Sequence, residues 1–400
     1  MKITGLFPAL AIRNYRNFWI MQWIALIGFW IQLTAQQWLV YELTDSAVHL
    51  GLLSAMQFTP SLLFSLFIGF WLDRHSKRKI LTATQFCYIL QALALASLLW
   101  TGHVNYGWLL FFAFLLGSID AVDMPARMAF MPLLVGRAQL HSAVALNSAN
   151  FNITRMFGPL LAAFLLAHID YGSVFFLNAV SLIPIFLTYH FMKVDEPAPQ
   201  EKKKGALPEI REGLLYAKQN PVIWSNLLAM AVVSALILNF GTYGPLFADR
   251  ILHRGIDGFG ALLFAIGTGS LAGGLLSAAG AKRTDSRFLF AFSAGSGLCL
   301  AAASRMDAYI PALLIFALIG FAVILFMINC NTAIQLASPP DYLGRIMSLY
   351  TFVFLGSAPF GSLFVSSVIE ILGTADGLLL IAFLELFLIL LIGFRYWYKK

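Results

Sequence analysis

The chain has 400 residues, 60% of them hydrophobic and only 11% charged, with a formal net charge of +7. Soluble domains of that size need far more polar surface, so the chain is expected to live in a membrane. The sequence contains no GxxxxGK phosphate loop, which excludes a self-contained ATP-driven pump. Its basic residues fall between apolar runs, where they orient a membrane chain and give no reason to expect nucleic acid as a partner.

Lys2, Arg13 and Arg16 precede the first long apolar run, and no small-residue cleavage site follows a short core, so no removable leader is expected. Apolar stretches then follow at Phe18–Tyr41, Leu50–Leu72, Ile80–Trp100, Gly107–Val122, Ala143–Leu166 and Val174–Met192. After a polar interval come Val222–Phe247, Phe259–Ala281, Phe288–Ala303, Tyr309–Ile334, Ile346–Leu372 and Gly377–Tyr398. A span takes roughly 20 apolar residues, and lipid leaves only helices or closed barrels. Alternating ten-residue strands are absent, so the expected fold is an all-α membrane protein of twelve transmembrane helices. Of the 26 basic residues, 22 fall on the side of the N-terminus, three (Arg250, Arg254 and Arg305) fall on the other side, and Arg155 lies inside a span. That bias predicts both termini in the cytoplasm, and a plasma (bacterial inner) membrane is the expected location.

The polar interval divides the chain into a first bundle over 1–192, a charged cytoplasmic linker over 193–219 and a second bundle over 220–400. The linker carries Asp195-Glu196-Pro197 and Lys202-Lys203-Lys204. Pro132-Leu133-Leu134-Val135-Gly136-Arg137 before the fifth span echoes Pro340-Asp341-Tyr342-Leu343-Gly344-Arg345 before the eleventh. The matched location suggests two six-helix pseudo-repeats with a pathway between them.

After the second span the chain reads Gly69-Phe70-Trp71-Leu72-Asp73-Arg74-His75-Ser76-Lys77-Arg78-Lys79. Glycine four residues before aspartate lets a helix end approach a neighbour, and the aspartate can pair with basic groups or cap a helix across the gap. The string resembles the loop between helices two and three of the major facilitator superfamily, Gly-xxx-Asp-Arg-x-Gly-Arg-Arg, with Ser76 in place of the second glycine. Arg13-Asn14-Tyr15-Arg16-Asn17-Phe18-Trp19, Trp38-Leu39-Val40-Tyr41-Glu42-Leu43-Thr44, Asp123-Met124-Pro125-Ala126-Arg127 and Val135-Gly136-Arg137 resemble the branch of enterobactin (siderophore) exporters and macrolide-efflux proteins. The resemblance covers the whole chain and is more specific in the first half. It implies a secondary active exporter of a small amphipathic or anionic molecule, with a proton as counter-ion. An importer on the same fold is the competing reading. In the family, an acidic residue near the inner end of helix four latches onto the helix two to three loop. Gly69, Asp73, Arg74, Lys77, Arg78 and Asp123 are therefore the expected gating group, with Asp123 as the latch.

Arg155 lies deep in the fifth span, where a guanidinium is costly and should face a cavity or a carboxylate. It is expected on the central pathway, either paired with Asp120 of the fourth span or receiving an anionic group of the cargo. A purely structural pair with Asp120 is the competing reading. Gly158-Pro159, followed by Ala162-Ala163, resembles the Gly-Pro-x-x-Gly-Gly bend of antiporter members and is expected to bend helix five. Glu385 in the last span is the remaining deep carboxylate; it reads as structural, with proton binding as the competing reading. Gln22, Gln32 and Gln36 share a stripe of the first helix, and Asn226, Asn239 and Tyr243 in the seventh and Asn329 and Asn331 in the tenth complete the expected pathway lining. Amides in apolar helices serve equally as interhelical bonding groups. No HExxH and no Gly-x-Ser-x-Gly elbow is present, so catalytic residues, metal ligands and cofactors are not expected. The expected partners are a small-molecule substrate, a proton and the lipid bilayer, and the working unit is expected to be a monomer.

Overall fold

The computed structural model describes residues 7–196, 206–278 and 286–398. α1 (Arg13–Thr44) stops at Asp45, whose left-handed φ of 44° turns the chain into α2 (Ala47–Asp73). Among residues with a side chain, short polar ones accept that conformation most readily. Ser76 caps α3 (Lys77–Trp100), its hydroxyl accepting the Lys79 N–H at 3.2 Å. Asn105 then caps α4 (Tyr106–Gly136) by accepting the Trp108 N–H at 3.0 Å.

The expected end of the fourth span near Val122 is corrected here, because α4 continues through Pro125 and Pro132 to Gly136. A proline removes one intrahelical bond and bends a helix, but packing can carry the helix across it. Asp123 and Arg127 are thus inside α4 and not in a loop after it. The break comes at Gly136, with φ 67° and ψ 171°, a conformation in which a Cβ would be strained, and α5 occupies 137–166. α6 (Tyr171–Phe191) begins at Asp170, whose carboxylate accepts the Ser173 N–H at 2.9 Å, the Ser173 hydroxyl at 2.5 Å and the Trp100 indole N–H at 3.0 Å. Those donors hold the Asp170 pKa below the ordinary carboxylate value.

Part of the expected linker, 197–205, lies outside the described residues; 193–196 continue past the end of α6 without helix, and 206–219 form α7 (Ala206–Gln219). The seventh span is two helices, α8 (Pro221–Leu236) and α9 (Phe240–Arg250). At the break, the Tyr243 hydroxyl donates to the Ile237 carbonyl at 3.0 Å, giving a partner to an acceptor near the end of α8. α10 (Gly255–Ala278), α11 (Ser286–Ala303), α12 (Tyr309–Ala337), α13 (Pro340–Leu372) and α14 (Thr374–Tyr398) follow. With α8 and α9 counted as one crossing, the chain makes twelve. Tyr216 of α7 stacks on Tyr342 with centroids 4.6 Å apart, and Glu212 pairs with Arg345 at 2.9 Å, so α7 is fastened to the start of α13.

The two sets of six spans repeat each other in packing more than in sequence. A Cβ on Gly117 of α4 would overlap the Gln57 carbonyl oxygen of α2, and one on Gly320 of α12 would overlap the Ile266 carbonyl oxygen of α10. These are equivalent helix pairs in the two halves. The Pro-xxx-Gly-Arg echo is not repeated in conformation, because Gly136 breaks the chain whereas Gly344 lies within α13, which starts behind the extended Ser338 and Pro339.

The halves meet along α2 with α13 and along α5 with α10. A Cβ on Gly260 would stand 2.9 Å from both Pro159 O and Ala163 Cβ, and one on Gly267 2.8 Å from Met156 Cβ. These two glycines bring the backbones of α5 and α10 almost into contact, as small residues do in lipid. Large apolar side chains such as Leu314, Phe387 and Leu390 are exposed, as a lipid-facing surface requires. The α2–α3 turn and both ends of the described chain lie on one face, called here the terminal face. The α1–α2 turn lies on the far face.

Candidate functional site

At the terminal face, the α2–α3 turn is tied into its own half. Glu196, just past α6, accepts the Ser76 hydroxyl at 2.7 Å, the Lys77 N–H at 2.7 Å and the Arg78 N–H at 3.0 Å. A carboxylate at a helix N-terminus satisfies amides that have no partner inside the helix and sits favourably in the helix dipole. Arg78 reciprocates by donating to the Tyr189 carbonyl at 3.3 Å and the His190 carbonyl at 2.8 Å at the end of α6. Arg74 is exposed and Lys77 half-buried. Gly69 and Asp73 occupy the last turns of α2, and the Asp73 side chain lies outside the described residues. Replacing Glu196 with alanine is expected to cost about 0.5–2 kcal/mol, seen as a lower apparent melting temperature of the detergent-solubilised protein; an unchanged melting temperature would show the cap to be idle.

Asp123 is fully buried and turns toward α3, not toward the turn. It accepts the Thr84 hydroxyl at 2.6 Å and the Gln85 amide at 2.8 Å, and it pairs with Arg127 one turn along α4. One turn toward the far face, Asp120 accepts the Tyr88 hydroxyl. Asp123 is thus neutralised by a guanidinium, whereas the partner of Asp120 is neutral.

Arg155 lies eleven residues before the end of α5, about 16 Å of helix, which places it near the middle of a hydrocarbon core about 30 Å thick. It is half-buried, and among the described residues no carboxylate lies within ion-pair distance of it. The expected pair with Asp120 does not form. One turn away, the Phe151 ring stands edge-on to Trp30 with centroids 5.6 Å apart, and Gly158 lets the Trp30 side chain approach the backbone of α5. Pro159 presents its carbonyl to Gly260 across the seam between halves, so the Gly-Pro segment is a contact between the halves.

The amides divide into two groups. Gln32 donates to Gln91 at 2.9 Å and accepts from Asn178 at 2.5 Å, and Gln36 donates to the Leu109 carbonyl at 3.0 Å. Both are buried, and they join α1 to α3, α6 and α4 within the first half, so neither lines a pathway here. Gln22, Asn226, Asn239 and Tyr243 are also buried, with Asn226 and Asn239 bonded to carbonyls four residues back on their own chain. Asn329 and Asn331 of α12 are half-buried and, with Arg155, keep accessible surface.

The far face is closed by a polar ring. The Tyr41 hydroxyl donates to Asp249 at 2.7 Å, and Arg250 donates to the Asp45 carbonyl at 2.7 Å and carboxylate at 2.9 Å. Glu370 accepts the Ala47 N–H at 2.8 Å and the Ser46 hydroxyl at 3.2 Å. Below them Ser54 meets Thr242 at 3.2 Å, and the Trp38 and Phe259 rings stack 6.3 Å apart. Polar contacts that cross between the halves among the described residues gather at this end.

The profile of the family described as transmembrane secretion effector matches residues 4–399. The chain belongs to the transmembrane secretion effector family of the major facilitator superfamily. The chain is 29% identical over 342 residues to the uncharacterized MFS-type transporter YfiS of Bacillus subtilis, covering 81% of this chain and 79% of that one. It is 23% identical over 260 residues to the staphyloferrin A transporter of Staphylococcus aureus, covering 64% of each chain. It is 21% identical over 354 residues to macrolide efflux protein A of Streptococcus pyogenes, covering 87% of each. In fold it is similar to a bacterial homolog of the human lysosomal transporter Spinster, solved inward-facing and unoccupied, with a TM-score of 0.72 at 14% identity, covering 96% of this chain and 95% of that one. A variant of the nucleoside transporter NupG superposes with a TM-score of 0.77 at 9% identity, covering 95% and 99%. The chain is thus a membrane transporter of the major facilitator type.

The serine that replaces the second glycine of the family loop has a structural reason. Ser76 sits at φ −63°, where no glycine is needed, and its hydroxyl joins α3 to Glu196. Sequence reasoning missed Glu196, which read as one more linker charge. It also missed Asp45, Asp249, Arg250 and Glu370. The motif at 38–44 was the available pointer to one side of the ring, while its partners on α9 and α13 lie more than 200 residues away.

Proposed function

We propose that the protein is a secondary active exporter that moves a small amphipathic or anionic molecule, siderophore-like or drug-like, by alternating access in exchange for protons. It works as a monomer in the bacterial inner membrane, with the terminal face in the cytoplasm. The observation that carries the reading is Arg155, a mid-membrane guanidinium with accessible surface and no carboxylate partner among the described residues. An intramembrane charge without a protein partner is a site for a charge that arrives, and the half-buried Asn329 and Asn331 offer amides from the other half. Phe151 and Trp30 supply an aromatic wall next to it. Relatives named as a staphyloferrin A transporter and a macrolide efflux protein fit a cargo with both polar and apolar parts. Asp120 is the proposed proton carrier, because it can gain or lose a proton without stranding a cation.

The test is transport in proteoliposomes with an imposed pH gradient, offering carboxylate chelators and macrolides as cargo. Cargo flux opposite to the proton flux, abolished by a protonophore and uncoupled by Asp120→Asn, is the expected result. Flux in the same direction as the protons would make the protein an importer, and flux indifferent to the gradient would overturn proton coupling.

A further inference from the structure

The α1–α2 turn is short, and α2 starts abruptly behind it. The first turn of a helix has N–H groups with no partner inside the helix, which a side-chain oxygen or a carboxylate normally satisfies. The sequence of α2 provides little for this. Its first turn holds no acidic residue, and its own cap, Ser46, reaches the His49 N–H only at 3.5 Å. The Ala47 N–H points instead at Glu370, at 2.8 Å, and the Ser46 hydroxyl donates to the same carboxylate at 3.2 Å. Glu370 lies two residues before the end of α13, in the other half of the molecule. Ala47 and Ser46 are both buried at the seam, while Glu370 itself is exposed.

We infer that Glu370 is the positioning residue of the far-side gate, acting as the N-cap of α2 from the opposite half. A cap supplied within one bundle stays with its helix throughout a transport cycle. A cap supplied across the seam exists only in the closed state. Closing the far face therefore completes α2, through hydrogen bonds to its first turn and through a negative charge set on the positive end of the helix dipole. Opening removes that charge and returns the amide to water. The neighbouring contacts work differently. Tyr41 with Asp249 and Arg250 with Asp45 join side chains, or a side chain and a turn carbonyl, and leave no helix end without a partner when they part. Glu370 thus ties the opening of the gate to the completeness of a helix that runs the depth of the membrane along the seam.

Hydrogen–deuterium exchange on the full-length protein in lipid nanodiscs tests this without knowledge of the cargo. The variants are Glu370→Ala and Glu370→Gln, and the segments read are 41–54, around the start of α2, and 240–250, in α9. α9 belongs to the gate and makes no hydrogen bond to Glu370 among the described residues. In Glu370→Ala, exchange is expected to rise roughly tenfold in both segments, the population shift that loss of one cap produces. Glu370→Gln keeps an acceptor oxygen but loses the charge, and should fall between alanine and wild type; it provides the same readout if the alanine variant does not reach the membrane. Faster exchange confined to 41–54, with α9 as in wild type, would show that Glu370 only stitches a local turn and would overturn the inference. Unchanged exchange in both segments would overturn it as well.

Discussion

Arg155→Ala is expected to abolish transport of an anionic cargo, by 100-fold or more on the order of two lost charge-assisted hydrogen bonds, while leaving the protein at least as stable as wild type. The two halves of that expectation have one cause. A guanidinium at the centre of a membrane helix costs about 2.5–3.5 kcal/mol on insertion scales. No carboxylate among the described residues is paired with it, so its removal strands no opposite charge. In a structural ion pair the reverse holds, since breaking one side leaves the other buried and unpaired. Melting of the detergent-solubilised variant and cargo uptake into proteoliposomes are the two measurements. Arg155→Lys should retain part of the transport, because it keeps the charge but loses the planar fork that grips a carboxylate at two points. A lower melting temperature or loss of the folded protein in Arg155→Ala would mean that the residue holds the bundle together, and the substrate reading would then fail.

The largest loss of stability is expected from Gly117→Ala and Gly320→Ala. A methyl group at either position would overlap a backbone carbonyl oxygen, Gln57 in one case and Ile266 in the other. A side chain could rotate out of the way, but a carbonyl in the middle of a helix moves only with the helix. Each substitution must therefore part α2 from α4, or α10 from α12. Overpacking of that kind costs typically 1–3 kcal/mol, and the rigid neighbour puts both sites at the upper end. Gly274→Ala is the control. It lies in α10 with nothing within 4 Å of the added methyl, so the better helix propensity of alanine should stabilise the protein by roughly 0.5–1 kcal/mol. The fraction that remains monodisperse after heating in detergent reads all three. Equal behaviour of Gly117→Ala and Gly274→Ala would refute the close approach of α2 and α4.

What the sequence made legible follows from how local each signal is. Twelve apolar runs and the bias of lysine and arginine depend on composition within a window of about 20 residues, and the helices fall where those runs do. The end of α4 was misplaced because the apolar run stops at Asp123, whereas the helix continues through Pro125 and Pro132 to Gly136. The gap between α8 and α9 was illegible for the opposite reason, since Ile237 and Leu238 continue the apolar run without interruption. Face is harder to read than span. Gln32 and Gln36 carry the same chemistry as a pathway amide, and only the positions of Gln91, Asn178 and the Leu109 carbonyl decide that they are spent inside one half. Arg155 stood out because an arginine in a span is anomalous on its own. Glu370 did not, since an acid near a helix end is ordinary until the first turn of α2 is placed against it.

The fastening of α7 to α13 has a consequence for how the molecule divides. Through the Tyr216–Tyr342 stack and the Glu212–Arg345 pair, α7 travels with the second half, although it precedes that half in the chain. The mechanical border therefore lies upstream of Ala206, not at the polar turn before Pro221. A two-piece version of the protein, co-expressed as separate polypeptides, has to be cut ahead of α7, because a cut behind it would leave the second piece without the bar that braces its entry helix.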